Sequence, residues 1–359
     1  MPQFSVDPDI SIANTLSKDF YCSETIFQLS KEKIFCPSWQ FIGHSGQVPK
    51  TGNIYPFTLL EQFLDEPLLL TRDKENTLHC ISNVCTHRGN IIADHPCSVT
   101  NLRCRYHGRL FHLNGQFMSM PEFKEVKNFP AKEDNLTSLP LFQWGKLLFT
   151  SLNHAIGPEI FFNEMMNRIS WLPLEEFIYQ PDLSRDYLVK AHWALYCENY
   201  LEGFHIPFLH AELNSVIDFG NYTTELFRYS NLQLGIAKED ECCFELPPGS
   251  TDYGKKVAAY YFFVFPNMMF NFYPWGLSLN VVMPVSLNET RISFLTFLWK
   301  EDIYDTGAGS GLDTVEKEDE EVVQNVQKGI RSRFYEHGRY SVTREQGTHH
   351  FHQIISEFM

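Results

Sequence analysis

Two short stretches of the chain each pair one cysteine with one histidine. The first is Cys85-x-His87 in "CTHRG", and the second is Cys104-x-x-His107 in "CRYHG". A structural zinc site usually spaces its first two ligands by two to four residues and groups like ligands together. Here each stretch offers one thiolate and one imidazole, which suits a two-iron cluster with both cysteines on one iron and both histidines on the other.

A second set of candidate ligands lies in "CENYLEGFHIPFLH", which contains Glu202, His205 and His210. The segment has no helix breaker before Gly203, and we predict a helix that ends near Pro207. His205 and His210 are five residues apart, roughly 140° around an ideal helix, so they converge on one metal only if the helix breaks between them. Taken alone, they are more simply explained as packed or surface residues at the end of a helix.

A third ligand is expected from the acidic helix that begins near Leu312. Two histidines and one carboxylate commonly hold non-haem iron that must leave positions open for oxygen. At about 100° per residue, Asp319 falls within the apolar stripe of this helix, where an acid is costly unless it is paired or bound to metal. Glu318 lies at the edge of the stripe and is the competing candidate. The stripe consists of Val315, Val322, Val326 and Ile330, and the acids predicted to point away from it are Glu316, Glu320 and Glu321.

The composition excludes several classes of protein. With 359 residues the chain is long enough for two domains. Its net charge of −15 argues against a nucleic-acid surface, because phosphate binding depends on lysine and arginine. The most apolar region, 257–283, is interrupted by proline and glycine and therefore predicts strands and turns rather than a membrane span. The odd number of scattered cysteines and the lack of signal-peptide features predict a reduced, cytoplasmic protein.

The coarse pattern predicts two domains of different kinds. From about Trp39 to Leu152, short apolar runs alternate with clusters of Gly, Pro, Asn and Asp, which indicates an all-β domain. Helical periodicity follows around 160–215, then strands at 220–300, then a long helix predicted to end near Gly338. This second part is expected to be α+β, with helices packed on an antiparallel sheet. We place the limits at 1–37 for an N-terminal segment that packs on the second domain, 38–152 for the first domain and 153–359 for the second.

Three separated motifs resemble one known family. "CTHRG" followed by "CRYHG" is similar to the Rieske [2Fe–2S] motif. "ENYLEGFHIPFLH" resembles the mononuclear iron motif of Rieske oxygenase α subunits. "EDEEVVQNVQKG" resembles their later segment, in which an Asp eight residues before the Gln of "VQKG" completes the iron site; that position is Asp319 here. The resemblance covers nearly the whole chain, which is identified as a member of the Rieske non-haem iron oxygenases, the aromatic-ring-hydroxylating dioxygenase family.

The resemblance implies both a fold and a set of site residues. The fold would be a small all-β Rieske domain plus a helix-grip (START/Bet v 1-like) catalytic domain with an antiparallel sheet. Glu202 would hydrogen-bond His205 and also a cluster histidine, His107, of the neighbouring subunit of a head-to-tail homotrimer. Asn199, one turn before Glu202, is a further candidate near the iron. The implied ligands are Cys85, His87, Cys104 and His107 for the [2Fe–2S] cluster, and His205, His210 and Asp319 for Fe(II).

The implied activity is oxygenation of a small organic substrate. Electrons would come from NAD(P)H through a separate flavin/iron–sulfur reductase. Many aromatic-ring dioxygenases have Asp at the position of Glu202, whereas Glu resembles the branch of choline, glycine betaine and carnitine monooxygenases. We therefore expect a quaternary amine, hydroxylated or N-demethylated, with aromatic-ring dioxygenation as the alternative and a Rieske electron carrier as a third hypothesis. An aromatic box could bind such an amine, although the same residues could simply pack a sheet: Tyr260, Tyr261, Phe263, Phe265, Phe270, Phe272 and Trp275.

Histidines also cluster at the end of the chain. His349, His350 and His352 could suggest a third metal. The two predicted sites are already complete without them, and a C-terminal amphipathic helix accounts for their spacing. We therefore expect packed residues rather than ligands.

Overall fold

The computed structural model describes residues 4–153, 155–238 and 240–359. The chain divides into two compact units. One, called the β unit below, is Trp39–His154; the other, called the α+β unit, combines Met1–Ser38 with Ala155–Met359. Within the described ranges, no helix has the length and hydropathy that crossing a membrane requires.

The β unit is built from short antiparallel strands, as the alternating runs predict. Its strands are β1 (Gln40–His44), β2 (Asn53–Leu59), β3 (Glu66–Arg72), β4 (Leu78–Ser82), β5 (Cys97–Ser98), β6 (Leu102–Arg103), β7 (Leu110–Phe111), β8 (Phe117–Ser119), β9 (Ser138–Leu139), β10 (Leu141–Trp144) and β11 (Leu147–Thr150). They form a five-stranded sheet in the order β5-β2-β3-β4-β9 and two three-stranded sheets, β1-β11-β10 and β6-β7-β8. The core contains Leu69 and Ile81 together with Cys85 and Cys104. The two motif cysteines are therefore part of the hydrophobic core.

The α+β unit contains one large antiparallel sheet and eight α-helices in the described ranges. The helices are α1 (Lys18–Cys22), α2 (Glu24–Ser30), α3 (Pro158–Arg168), α4 (Trp193–Tyr200), α5 (Ile206–Leu209), α6 (Ala211–Val216), α7 (Leu312–Ile330) and α8 (Gln346–Phe358). The strands are β12 (Ile178–Tyr179), β13 (Arg185–Val189), β14 (Thr223–Leu226), β15 (Ser230–Ile236), β16 (Val257–Val264), β17 (Met268–Tyr273), β18 (Gly276–Ser286) and β19 (Glu289–Leu298). The sheet order is β12-β19-β18-β17-β16-β15-β14, and β13 also pairs with β19. This confirms the expected α+β arrangement, and the apolar region 257–283 forms strands and turns as predicted.

The two faces of the sheet explain the long aromatic run in β16 and its neighbours. Successive side chains of a strand point to opposite faces. Phe263 faces the helices and contacts Phe351 of α8, with ring centroids 5.4 Å apart. Tyr260, an odd number of residues away, contacts Phe244 at 5.5 Å. Most of the aromatic side chains therefore pack on one face or the other, as the simpler sequence interpretation expects.

The N-terminal helices pack on α4 within the same unit. Phe20 of α1 lies 6.4 Å from Trp193, measured between ring centroids. The hydroxyl of Tyr21 donates to Oε1 of Glu198 at 2.7 Å. The start of the chain thus supports the helix that leads into the candidate iron site.

Helix α7 differs from its prediction in length and in its buried face. It ends at Ile330, not near Gly338. The predicted valine stripe is wrong, since Val326 is 43% exposed. The buried positions are Glu316, Val323, Gln327 and Ile330. Their spacing of seven, four and three residues still marks one helical face, but two of the four are polar.

Hydrogen bonds explain why polar side chains occupy the buried face of α7. Oε2 of Glu316 accepts from the hydroxyl of Tyr196 at 2.6 Å. Oε1 of Gln327 accepts from the backbone N–H of His192 at 2.7 Å. Glu316, predicted to point away, is therefore turned inward, and Asp319 lies on the same face because it is three residues after Glu316 and four before Val323.

Candidate metal centres

The two Cys/His stretches of the β unit form loops with the same backbone hydrogen bonds. The N–H of Gly89 donates to the carbonyl of Cys85, and the N–H of Gly108 donates to the carbonyl of Cys104, each at 3.0 Å. Gly89 has a φ of +70° and Gly108 a φ of +76°, a left-handed conformation that glycine adopts without steric cost. Each motif therefore needs its glycine four residues after the cysteine.

The four predicted cluster ligands form an inner pair and an outer pair. Cys85 and Cys104 are 1% and 2% exposed. His87 is half-buried and His107 is exposed, and their ring centroids are 4.6 Å apart. The site therefore offers two buried thiols and two more exposed imidazoles. This is the donor set that a two-iron cluster of mixed ligation requires.

Hydrogen bonds to Cys104 favour its thiolate. Burial acts to raise the pKa of this thiol, but hydrogen bonds from the backbone N–H of Tyr106, from Cys85 and from Asn90 outweigh burial, and the pKa is lowered. The amide nitrogen of Asn90 donates to Sγ at 3.6 Å. For Cys85, burial raises the pKa. Because metal binding requires the thiolate, these hydrogen bonds suit Cys104 to hold a metal.

Asp134 links the two loops and was not predicted from the sequence. Arg109, of the second loop, is 2% exposed and donates to Oδ1 of Asp134 at 2.6 Å. The hydroxyl of Thr86, in the first loop, donates to the backbone carbonyl of Asp134 at 2.8 Å. The Arg109 guanidinium also lies 4.9 Å from the ring centroid of Phe117. The sequence feature that could have indicated such a partner is Arg109, a cation directly after the motif glycine Gly108.

In the α+β unit the three predicted iron ligands lie together. A nitrogen of His205, a nitrogen of His210 and an oxygen of Asp319 are within 4.8 Å of one another. Oδ1 of Asp319 lies 3.0 Å from Nε2 of His210 and 3.6 Å from Nε2 of His205. The site is partly enclosed, since the side chain of His210 is 1% exposed. Two imidazoles and one carboxylate converging on one point is the donor set of non-haem iron with open positions.

A break in the chain between α4 and α5 brings the two histidines to this point. The prediction of a helix ending near Pro207 is wrong, because α4 ends at Tyr200 and Pro207 lies in the first turn of α5. Proline is tolerated there because the N–H that it lacks has no partner in a first helical turn. A carboxylate oxygen of Glu202 accepts from the backbone N–H of Phe204 and of His205. Glu202 therefore holds the irregular segment together.

Each of the two imidazoles has a glutamate on its other ring nitrogen. The Nδ1 of His205 lies 2.7 Å from Oε1 of Glu202. The Nδ1 of His210 lies 2.7 Å from Oε2 of Glu318. A carboxylate can only accept, so these contacts favour the tautomers with the proton on Nδ1, which leave both Nε2 atoms to bind a metal. Glu318, the competing third ligand, contacts the far side of His210, whereas Asp319 faces both Nε2 atoms.

Helix α4 also supports the carboxylate of Asp319. The Nδ2 of Asn199 donates to Oδ1 of Asp319 at 2.7 Å. One turn earlier on both helices, Tyr196 donates to Glu316. This contact agrees with the predicted location of Asn199 near the metal ligands. Its partner is Asp319, a candidate ligand.

A cavity of about 110 Å³ adjoins His205, His210 and Asp319. Of the aromatic residues proposed from the strands, Tyr261 lines it. The other aromatic and polar lining residues were missed: Tyr196, Tyr200, Tyr222, Gln233, Asn271, Tyr273, Ser278, Asn280 and Phe294. The signal for several of them was a polar side chain inside an otherwise apolar strand, as at Asn271, Ser278 and Asn280.

The C-terminal histidines are packed residues of α8, which confirms the predicted amphipathic helix. His352 is fully buried, with Nε2 3.1 Å from Oε1 of Glu198. The Nε2 of His349 lies 2.8 Å from the backbone carbonyl of Asp7. Ordinary hydrogen bonds therefore account for these two side chains.

Comparison with known proteins matches both parts of the chain. Residues 38–130 match the Rieske [2Fe-2S] domain, and residues 171–359 match the ring hydroxylating alpha subunit (catalytic domain). Choline monooxygenase of Arabidopsis thaliana is 27% identical, over 97% of this chain and 84% of that protein. The oxygenase subunit of carnitine monooxygenase from Escherichia coli K12 is 25% identical, over 96% of this chain and 93% of that protein.

Solved structures share the fold. A quaternary ammonium Rieske monooxygenase superposes with a TM-score of 0.78 at 21% identity, covering 99% of each chain. Naphthalene 1,2-dioxygenase from Rhodococcus superposes with a TM-score of 0.75 at 16% identity, covering 96% of this chain and 94% of the other. The catalytic-domain match spans more than half of the 359 residues. The chain therefore belongs to the ring-hydroxylating α subunits of Rieske oxygenases, oxidoreductases that incorporate molecular oxygen and carry a Rieske [2Fe–2S] cluster and a mononuclear iron.

Proposed function

We propose that this protein is the oxygenase component that hydroxylates a small quaternary amine, with electrons from a separate NAD(P)H-dependent reductase. The cavity next to His205, His210 and Asp319 carries this proposal. Its wall contains five tyrosines, whose ring faces attract a trimethylammonium group. Within the described residues the lining includes Glu202, Glu316 and Asp319 but no lysine or arginine. The named choline and carnitine monooxygenases among the relatives act on compounds of this class.

The ligand sets follow from the donors that lie together. Cys85 and Cys104 would hold one iron of the cluster, and His87 and His107 the other. His205, His210 and Asp319 would hold the mononuclear iron. Asp319 is preferred to Glu318 because its carboxylate faces both Nε2 atoms.

The protein's own groups orient this site for chemistry. When bound, the cluster supplies single electrons and the mononuclear iron supplies the means to activate dioxygen. Glu202 holds the Nδ1–H of His205, and Glu318 holds that of His210. Asn199 fixes one oxygen of Asp319. The tyrosines of the cavity hold the ammonium group and exclude water from it.

The overall reaction balances with two electrons and two protons. One oxygen atom of O₂ is inserted into a C–H bond of the substrate, and the other is reduced to water. If the hydroxylated carbon carries nitrogen or oxygen, the product collapses to a carbonyl compound and the free amine or alcohol. Hydroxylation of an N-methyl group therefore gives N-demethylation with release of formaldehyde. Hydroxylation of a primary alcohol carbon gives a hydrate, which loses water to form an aldehyde.

The electron route is proposed to cross between subunits of a head-to-tail homotrimer. Glu202 already contacts His205, the candidate iron ligand. His107 is exposed on the β unit and is proposed to meet Glu202 of the neighbouring subunit. A flavin/iron–sulfur reductase in the cytoplasm is the proposed electron donor.

Substrate turnover tests this function directly. Anaerobically purified, iron-loaded protein is mixed with a reductase, NADH and oxygen, and oxygen uptake is compared with product for choline, carnitine, glycine betaine and naphthalene. We expect coupled uptake with at least one quaternary amine. Coupled hydroxylation of naphthalene without any amine turnover would replace this proposal with aromatic-ring dioxygenation, and reduction of the cluster without any oxygen uptake would indicate an electron carrier.

A further inference from the structure

Glu316 places a buried carboxyl group in the wall of the cavity beside the candidate iron site. The residue is 4% exposed. Its Oε2 accepts from the hydroxyl of Tyr196 at 2.6 Å, and this hydrogen bond holds the carboxyl group of α7 against α4. Its Oε1 is also buried, and among the described residues it has no hydrogen-bond partner. A buried carboxyl oxygen without a hydrogen-bond partner costs folding free energy. A bound molecule would supply the missing partner.

The surroundings of Glu316 are acidic. Burial raises the pKa of Glu316 to about 8, the hydrogen bond from Tyr196 opposes this rise, and the charges of Asp319, Glu320 and Asp313 add to it. Of these acids, Glu316 and Asp319 line the cavity, and Asp319 faces the two histidines of the candidate iron site. Glu316 is therefore the acid of this helix that is left to meet a ligand. With this pKa the carboxyl group is largely protonated at neutral pH, and a positively charged ligand beside it favours the ionised form.

A second cavity of about 180 Å³ shares part of its wall with the first. Ser278, Phe294, Leu312 and Glu316 line both cavities. Arg185 lines the second cavity and does not line the first. Its guanidinium donates to the backbone carbonyl of Asp182 at 2.8 Å. Glu316 thus stands between the iron-side cavity, whose described lining contains no lysine or arginine, and a neighbouring cavity that is lined by Arg185.

Gln233, another residue that lines the cavity, offers an acceptor for a hydroxyl group. The Nε2 of Gln233 donates to the backbone carbonyl of Tyr200 at 2.6 Å. The buried Oε1 of Gln233 has no hydrogen-bond partner among the described residues. An alcohol can donate to this oxygen, whereas a carboxylate cannot.

We propose that Glu316 determines the substrate specificity of this cavity by pairing with the ammonium group of the substrate. This inference rests on the proposed function and narrows its substrate class. The favoured substrates are amines with a positive charge and a neutral, hydroxyl-bearing tail. Zwitterions such as carnitine and glycine betaine are disfavoured, because their carboxylate would meet the buried carboxyl group of Glu316, and the described lining contains no lysine or arginine.

A matched pair of ligands isolates the charge. Choline and its neutral isostere 3,3-dimethyl-1-butanol have the same shape and differ in charge, and their binding to the iron-loaded holoenzyme is measured by calorimetry. For the natural sequence we expect choline to bind at least about tenfold more tightly than the isostere, since an opposite charge at close range contributes on that order. Equal binding of the two ligands overturns the inference, without any variant.

Substitutions then assign the effect to Glu316. Glu316→Gln keeps the size and the acceptor for Tyr196, and we expect it to lose about tenfold in choline affinity while leaving the isostere unchanged. Glu321→Gln, an exposed acid on the same helix, makes the same change in net charge and should alter neither. Circular dichroism melting verifies that both variants are folded. If Glu316→Gln weakens both ligands equally, the residue has a structural role and the inference fails.

Turnover separates this inference from the function on which it rests. We expect choline-like alcohols to be oxidised in preference to carnitine and glycine betaine, and Glu316→Gln to reduce that preference. Turnover of the zwitterions at the same efficiency as choline contradicts the role of Glu316 and leaves amine oxygenation standing. If no quaternary amine is oxidised, the proposed function itself is wrong.

Discussion

The amide of Asn199 donates to the same oxygen of Asp319, Oδ1, that lies 3.0 Å from Nε2 of His210. The contact joins α4, which leads to the histidines, to α7, which carries the carboxylate. A candidate metal ligand is therefore positioned by a neutral donor on a different helix. Substitution of a metal ligand should therefore remove the iron, whereas substitution of a residue that orients a ligand should weaken iron binding.

Metal content should distinguish Asp319 from Glu318. Anaerobically purified protein is expected to be reddish-brown, with about three irons and two acid-labile sulfides per chain. Asp319→Asn should lose about one iron per chain and keep the visible spectrum of the cluster. Glu318→Gln should keep that iron with an affinity about 10- to 100-fold lower, because it removes only the partner of His210. Full iron content in Asp319→Asn combined with a loss in Glu318→Gln would reverse the assignment.

Asn199→Asp should reduce the mononuclear iron content selectively. The change replaces the N–H donor to Asp319 by a carboxylate, so two like charges face each other. We expect about a 10-fold to 100-fold loss in iron affinity, the range for partners of metal ligands, with the cluster spectrum unchanged. Asn325→Asp, at an exposed position of α7, is the control and should bind iron normally. An unaltered iron affinity in Asn199→Asp would show that this hydrogen bond does not position the ligand.

Glu202 is expected to control electron transfer more than metal binding. Glu202→Ala should keep both metal centres but lose coupled turnover, because it removes the carboxylate that contacts His205. The measurement is single-turnover reoxidation of the pre-reduced cluster in the presence of substrate and oxygen, together with iron content. Glu212→Ala, at an exposed position of α6, should behave as the natural sequence does. Normal product formation by Glu202→Ala would refute the proposed route.

His192 should make stability depend on pH in the acid range. Burial lowers the pKa of His192 from 6.5 to about 3, so below pH 6.5 the unfolded chain binds a proton that the folded chain does not. Stability is therefore complete above pH 6.5 and falls as the pH drops, by up to about 1.4 kcal/mol per pH unit. His192→Asn keeps an acceptor at the start of α4, where Nδ1 accepts from Ala194, but does not titrate. Urea unfolding between pH 7 and 5 should show a smaller loss in this variant, and identical losses would contradict the prediction.

Much of the site follows from local sequence. The spacing of Cys85, His87, Cys104 and His107 and the two motif glycines dictate a pair of loops, because four ligands and two left-handed turns are properties of a few neighbouring residues. The order of the Rieske and iron motifs indicated the family, and the alternation of helical and strand patterns indicated the α+β plan. The strand turns between β16 and β19 were equally local, since proline, glycine and asparagine mark them.

Residues that meet across long separations could be located only by the folded chain. Asp319 was chosen from a valine stripe that is partly exposed in α7, although the choice agrees with the face that the structure shows. That face is set by Tyr196 and His192, which hydrogen-bond Glu316 and Gln327 from more than a hundred residues away. Periodicity describes apolar patterns along one helix and cannot show that a distant hydroxyl will satisfy a buried acid. For the same reason, the loops and their candidate ligands can be recognised from short motifs, whereas the cavity, its tyrosines and the inward position of Glu316 arise from tertiary packing alone.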